Sequence, residues 1–197
     1  MDRKQTARSH VLPALSLLTA VFLVSGARAA MAAPLLLYLE PVIGYEWALK
    51  TVPGRHHVRR PYYGGRLTFG FPVFALETEF THADDEEFFP APELHTMDND
   101  NRISIGLKSE PRLSRFFAIP IRAGARGVMN THEETRPDSK CKIRRPIKFS
   151  PYIGTGFSIT ILNKVVLSVG ATVIINKFMD LSKNEYQLMT SMALKFY

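Results

Sequence analysis

The chain has 197 residues, 46% hydrophobic and 22% charged, with a formal net charge of +7. This composition is too apolar for a disordered chain, and the length suits one domain. The weak basic excess does not favour nucleic-acid binding, and the single cysteine, Cys141, excludes an internal disulfide.

The first thirty residues have the pattern of a secretory signal peptide. Arg3, Lys4 and Arg8 precede an apolar run over 11–24, and small residues follow it. That run is shorter than the ~20 residues that a membrane-spanning helix needs. We therefore predict a signal peptide over 1–30, cleaved near 29–32, and a mature domain over 31–197. Two cleavage frames fit, after Ala29 or after Ala32.

Period-two alternation, which is typical of strands whose faces meet different environments, recurs through the mature chain. It is clearest over 63–71, where Leu67 and Phe69 share one face and Arg66 and Thr68 the other. The same pattern predicts eight strands, at 38–49, 63–71, 73–81, 102–108, 117–129, 149–161, 165–175 and 186–196.

The predicted connections alternate in length. Long polar segments lie at 50–61, 82–101, 130–146 and 176–185, and short ones lie around Pro72 and at 110–114 and 162–164. This alternation is typical of antiparallel neighbours in an outer-membrane barrel, with tight turns on the periplasmic side and long loops outside.

The polar face of the predicted strands indicates which side meets the membrane. It combines glycine and small hydroxyls with opposite charges, whereas the other face, with Phe69, Ile105 and Leu194, would expose a large apolar belt in water. We predict an all-β fold, an eight-stranded antiparallel up-and-down transmembrane β-barrel, with ion pairs in a narrow lumen. The predicted lumen residues are Glu40, Glu46, Arg66, Glu77, Glu79, Arg102, Lys108, Arg122 and Arg126.

Three runs resemble the small outer-membrane β-barrel family that includes the transmembrane domain of OmpA and the opacity-type surface antigens. They are Phe-Ser-Pro-Tyr-Ile-Gly-Thr-Gly-Phe at 149–157, Phe-Ala-Leu-Glu-Thr-Glu-Phe at 74–80 and Ala-Leu-Lys-Phe-Tyr at 193–197. The resemblance spans 35–197. It implies location in the cell outer membrane, contact with lipid and lipopolysaccharide, and insertion by the barrel-assembly machinery, which would read Leu194, Phe196 and Tyr197.

Some barrels of this size are lipid A deacylases or acyltransferases, so the histidines bear on whether the chain is an enzyme. His56, His57, His82, His95 and His132 lie in or beside predicted loops without the His-x-Ser-Asn arrangement of the deacylases, and we expect no catalysis and no cofactor. We also expect no metal site, since His82, Asp84, Asp85 and Glu87 lack the pattern of a calcium-binding loop. The alternatives are a lipid A-modifying enzyme and a soluble periplasmic ligand-binding barrel.

The first two long segments carry opposite charge. The first is basic and is a candidate loop for lipopolysaccharide phosphates or host polyanions, and the second is acidic. Solvated loops that pair with each other are the other interpretation. We expect a structural scaffold or an adhesin-like surface antigen with four outer loops, not a general pore. The basic residues are Arg55, His56, His57, Arg59 and Arg60.

Overall fold

A computed structural model gives the fold, and it describes residues 35–50, 54–71, 73–90, 93–161, 164–178 and 180–196. The predicted signal peptide and its cleavage frame lie outside these residues. Among them, no helix is long and apolar enough to span a membrane.

The described residues form ten strands and one short 3₁₀ helix, Leu181–Lys183. The strands are β1 Leu36–Lys50, β2 His56–Phe71, β3 Phe74–Pro90, β4 Glu93–Ser109, β5 Phe117–Ala118, β6 Ile121–Arg136, β7 Ser139–Arg144, β8 Lys148–Ile161, β9 Val165–Ile174 and β10 Glu185–Phe196.

Eight of these strands close into an antiparallel ring. The ring runs β1-β2-β3-β4-β6-β8-β9-β10 and returns to β1, where Leu37 lies opposite Phe196. The two-residue β5 precedes β6 and pairs with the same neighbour, β8, while β7 extends the sheet beside β6 beyond the ring. The predicted eight-stranded up-and-down barrel is confirmed.

The two faces of the strands meet opposite environments, as the alternation predicts. Phe69 and Ile105 are 51% and 54% exposed on the outer wall, whereas Arg66 and Glu77 are 2% and 1% exposed inside the barrel. An apolar exterior around a charged interior is costly in water and favourable in lipid. A closed barrel of this kind is an outer-membrane architecture, so the alternative of a soluble periplasmic barrel is wrong.

The strands are longer than predicted at the end with the long connections, which we call the wide end. Strands β3 and β4 reach Pro90 and Glu93, so most of the predicted loop 82–101 is a hairpin, and β6 and β7 continue beside it. The predicted loop over 50–61 is likewise shortened, because β2 begins at His56. These extensions lie above the apolar belt, where most outward side chains are polar and the regular alternation of apolar residues ends.

Two glycines relieve local crowding. A Cβ on Gly44 would lie 2.7 Å from the ring of Tyr62, which fills the lumen beside it. Gly70, near the turn between β2 and β3, has a φ of 143°, which favours glycine. The predicted fifth strand is interrupted at Ile119 and Pro120, consistent with the missing amide hydrogen of proline.

Candidate functional site: the charged lumen and its wide mouth

We call the half of the lumen nearer the short turns the lower half, and the half nearer the wide end the upper half. The lower half is organised around Arg66. Its guanidinium lies 2.9 Å from Glu79 through Nε and 2.9 Å from Glu40 through Nη1, so it joins carboxylates on β1 and β3. Arg122 on β6 contacts Glu77 at 3.0 Å and donates to the Thr172 hydroxyl on β9 at 2.7 Å. These contacts connect five strands of the ring and fill the bore.

Two further cations complete this lower layer. Lys108 Nζ on β4 reaches Glu40 across the lumen at 3.2 Å and Glu110 at 3.3 Å. Arg126 lies 3.5 Å from Glu79 and donates to the Gln187 amide oxygen at 2.8 Å. The lower layer therefore holds carboxylates and cations in alternation, so that each buried charge has a partner of opposite sign.

The upper half of the lumen is organised around Glu46 on β1. Its carboxylate accepts hydrogen bonds from Arg60 on β2 at 2.6 Å and from Arg102 on β4 at 2.5 Å. A third donor, Gln187 on β10, lies 2.8 Å away. Asp100 accepts from both Arg60 and Arg102 and so completes a second layer across the bore.

Above this layer, the wide end forms a rim of paired charges. Lys50 Nζ contacts Asp85 and lies 2.9 Å from Glu87 and 2.8 Å from Asp98. His132, which is buried, lies 2.8 Å from Asp98. Because Lys50 ends β1 while the carboxylates belong to β3 and β4, the rim ties the projecting hairpin to the barrel wall.

The rim surrounds an open cavity of about 510 Å³. Arg60, Asp100 and Arg102 of the upper layer belong to its lining, and Arg145 and Lys148 add positive charge at its edge. The mouth of the barrel is thus a basin with a charged floor.

The lumen residues named from the sequence all lie inside. Glu40, Glu46, Arg66, Glu77, Glu79, Arg102, Lys108, Arg122 and Arg126 are each at most 6% exposed, and the structure brings them into the two layers. Sequence reasoning missed Lys50, Arg60, Asp98, Asp100, Glu110 and His132. The signal was present for Arg60, Asp98 and Asp100, because they continue the inward phase of Arg66 and Arg102 two residues at a time.

The basic segment predicted as one loop is divided between two surfaces. Arg55, His57 and Arg59 are exposed, and the Arg59 guanidinium lies 6.0 Å from the centre of the Trp47 ring. The position of Arg60 differs from the predicted exposed loop, because its side chain is 4% exposed and is held by Glu46 inside the barrel. The His56 side chain is also partly buried, and its Nε2 lies 3.0 Å from the Glu87 carboxylate. The strand begins at His56, so alternate side chains of this segment point inward.

The acidic hairpin residues are divided in the same way. His82 and Asp84 form an outward pair at 2.9 Å, whereas Asp85 and Glu87 belong to the rim with Lys50. Within the described ranges, no group of His, Cys, Asp and Glu side chains is arranged to hold a metal ion.

Leu194 and Phe196 of the predicted assembly signal lie at the seam of the barrel, where β10 pairs with β1. Leu194 is exposed on the outer wall, and the backbone of Phe196 pairs with that of Leu37. The side chain of Phe196 and all of Tyr197 fall outside the described part of the chain.

One outer connection carries its own short-range charge network. In the segment between β9 and β10, Lys183 Nζ lies 2.7 Å from the Asp180 carboxylate, and the Ser182 hydroxyl donates to the same group at 2.5 Å. Hydrogen bonds from Lys183 and Ser182 lower the pKa of Asp180 to about 2.

The fold and the lumen, which is filled by the protein's own charged side chains, define a small outer-membrane β-barrel. The structure is similar to that of neisserial surface protein A, with a TM-score of 0.57 and 12% identity over 81% of this chain and 97% of that one. It is also similar to Ail, the attachment invasion locus protein of Yersinia pestis, in complex with the heparin analogue sucrose octasulfate (TM-score 0.55, 12% identity, 81% and 99% covered).

A third similar structure is the N-terminal β-barrel domain of OprF from Pseudomonas aeruginosa, with a TM-score of 0.52 and 12% identity over 81% of this chain and 97% of that one. No family model and no curated protein sequence matches the chain. At these identities the likeness concerns the fold.

Proposed function

We propose that the protein is a surface-exposed scaffold of the outer membrane whose barrel is not a general pore. The observation that carries this proposal is the upper layer of the lumen. There Glu46 on β1 is bonded to Arg60, Arg102 and Gln187 on three other strands. A second layer around Arg66 lies beneath it, so a hydrated solute would have to break two sets of buried ion pairs to pass.

The orientation follows from the connections. Short turns of outer-membrane barrels face the periplasm and long connections face outside. The wide end, with its hairpin of β3 and β4 and the neighbouring strands β6 and β7, would therefore project from the cell. The terminal seam would lie on the periplasmic side, where the barrel-assembly machinery could read Leu194, Phe196 and Tyr197.

Single-channel recording in planar lipid bilayers tests the scaffold proposal. The purified barrel should give no steps of porin size. The double variant Glu46→Ala, Arg102→Ala should give more frequent small openings, because it removes the main pair of the upper layer. The matched control Glu133→Ala, which removes an outer carboxylate, should behave as the wild type. Sustained porin-sized currents from the wild type would contradict the proposal.

We further propose that the outer end binds phosphate- or sulfate-bearing polyanions through Arg55, His57 and Arg59. Arg55 lies on the connection between β1 and β2, and His57 and Arg59 lie at the start of β2; all three side chains are exposed, and the Arg59 guanidinium lies near the Trp47 ring at the edge of the apolar belt. That edge is where lipopolysaccharide phosphates lie. Ail, which shares the fold, has been crystallised with a heparin analogue.

Binding of heparin to the detergent-solubilised protein tests this site. The variant Arg55→Gln, Arg59→Gln should bind several-fold more weakly than the wild type, and the difference should shrink at high salt. The control Lys177→Gln removes a cation from a different outer connection and should bind normally. Lipopolysaccharide in place of heparin separates the lipid source of the anion from a soluble one.

An enzymatic role has less support. Four histidines, His56, His82, His95 and His132, each lie within hydrogen-bond distance of a carboxylate, and such pairs lack the nucleophile that acyl transfer requires. Mass analysis of lipid A from cells with and without the protein should give the same acyl pattern. A gained or lost chain would favour the enzyme instead.

A further inference from the structure

Strand β7 is the edge of the projecting sheet. Among the described residues it pairs with β6 alone, so one side of its backbone is open. All six of its residues, Ser139–Arg144, are exposed. It pairs with residues 131–136 of β6, beyond the segment 121–128 that pairs with β8 in the ring. An open, solvent-exposed edge is a template to which another extended chain can add as a strand.

The register shows which residues offer the free backbone groups. Arg136 and Ser139 flank the two-residue turn of the hairpin, and the Arg145 amide donates to the Asn130 carbonyl at 3.0 Å. In an antiparallel pair the bonded positions alternate, so Ser139, Cys141 and Ile143 direct their amides and carbonyls to β6. The amides and carbonyls of Lys140, Lys142 and Arg144 therefore face the open side.

The same three residues carry a row of positive charge on one face of β7. Glu133 is the carboxylate that contacts both Lys142 and Lys140, the latter at 3.6 Å. Arg144 has no carboxylate partner in the part of the chain that the structure describes. One carboxylate against three cations leaves the row positive.

The positive row on β7 restricts which chain can pair with the open edge. If two copies of the protein paired through the open edge in antiparallel fashion, centred on Lys142, that residue would face its own copy and Lys140 would face Arg144. Like charges directly opposite each other destabilise a strand pair. A chain with carboxylates at alternate positions would place each one opposite a cation.

We propose that the open edge of β7 binds an extended acidic peptide segment of a partner protein by strand addition. Main-chain hydrogen bonds to Lys140, Lys142 and Arg144 would hold the segment, and carboxylates at every second residue would pair with their side chains. The proposal is independent of polyanion binding by Arg55, His57 and Arg59, which lie on β2 and its connection to β1.

A synthetic peptide that alternates glutamate with valine, labelled with a fluorophore, is the probe. Its binding to the folded barrel in lipid nanodiscs is followed by fluorescence anisotropy. Lys142→Gln removes one charge and should weaken binding roughly two- to fivefold, the size of an exposed ion pair. Lys142→Pro removes the same charge and also the open-side amide, without breaking a bond to β6, and should weaken binding roughly tenfold further. The control Lys177→Gln should bind as the wild type.

Amide hydrogen exchange gives a second measurement that needs no variant. With the peptide bound, exchange should slow at Lys140, Lys142 and Arg144, whereas Cys141 and Ile143, already bonded to β6, should change little.

Three outcomes would overturn the inference. Equal binding by Lys142→Pro and Lys142→Gln would show a purely electrostatic contact. Unchanged exchange at the three open-side amides would show that no strand is added. Equal binding of the peptide and of heparin to this edge, abolished alike by Lys142→Gln, would show a site for polyanions in general.

Discussion

Arg66 and Glu79 lie directly opposite each other on β2 and β3 inside the barrel, with Nε and Oε2 2.9 Å apart. Glu79 also receives Arg122 and Arg126, and Arg66 also binds Glu40. The pair is therefore the centre of the lower layer, where each charge is stabilised by neighbours on other strands.

Removal of one member should be costlier than removal of both. Arg66→Met leaves several carboxylates without their main partner and should lower the free energy of unfolding by about 3–5 kcal/mol. The double variant Arg66→Met, Glu79→Gln should recover part of that loss. Urea titration in lipid vesicles, followed by heat-modifiable gel migration, measures both. Equal stability of the wild type and Arg66→Met would contradict the buried network.

A charge on the outer wall should be costly only within the apolar belt. Ile105→Arg places a guanidinium between Ile103 and Leu107 and should destabilise the barrel by about 2–4 kcal/mol in vesicles. The same change at Phe88, which is 61% exposed on the projecting part of β3, should cost little. Equal effects at the two positions would contradict the assignment of the belt to lipid.

Gly106 leaves room for Tyr152 in the lumen. A Cβ at this position would meet the Tyr152 hydroxyl and the Ala123 carbonyl oxygen. Gly106→Ala should therefore lower stability by about 1–3 kcal/mol through overpacking. Gly54, where a Cβ would meet nothing within 4 Å, provides the control Gly54→Ala, which should have no effect on the unfolding midpoint.

Asp180 should titrate well below an ordinary aspartate. Its pKa of about 2 is lowered by Lys183 and Ser182, so the stabilisation of this outer connection is complete above the unfolded pKa of 3.8 and is lost as pH falls towards 2. Carboxyl-carbon NMR in detergent micelles should show this midpoint. Lys183→Gln should move it up towards 3.8. A wild-type midpoint near 3.8 would show that the contact does not persist in solution.

The sequence predicts the barrel well because lipid constrains one face of every strand. Phe69 and Leu194 had to be outside once Arg66 and Glu77 were inside, and the period of two fixes both. The period-two pattern of apolar residues no longer predicts strands in the segments beyond the apolar belt. Above the belt the outward side of β3 carries His82, Asp84 and Glu86, which resemble a loop, although inward Ala83 and Asp85 keep the alternation.

The contacts between charged side chains were harder to predict than their direction. Lys108 meets Glu40 from a strand distant in sequence, because the pairing depends on the stagger of the closed ring. The sequence predicts an outer loop at Arg60 because its neighbours Arg55 and Arg59 are basic, whereas the structure shows that Arg60 follows the inward phase of β2.

The seam between β1 and β10 bears on how the barrel is made. Leu37 and Phe196 are partners, so the first strand of the ring has no neighbour on one side until the final strand has been translated and exported. Until then both borders of the growing sheet carry unsatisfied amides and carbonyls, which hydrocarbon does not tolerate. Closure of the ring must therefore follow the synthesis of β10, and the pairing of β1 with β10 is the last step that completes the barrel.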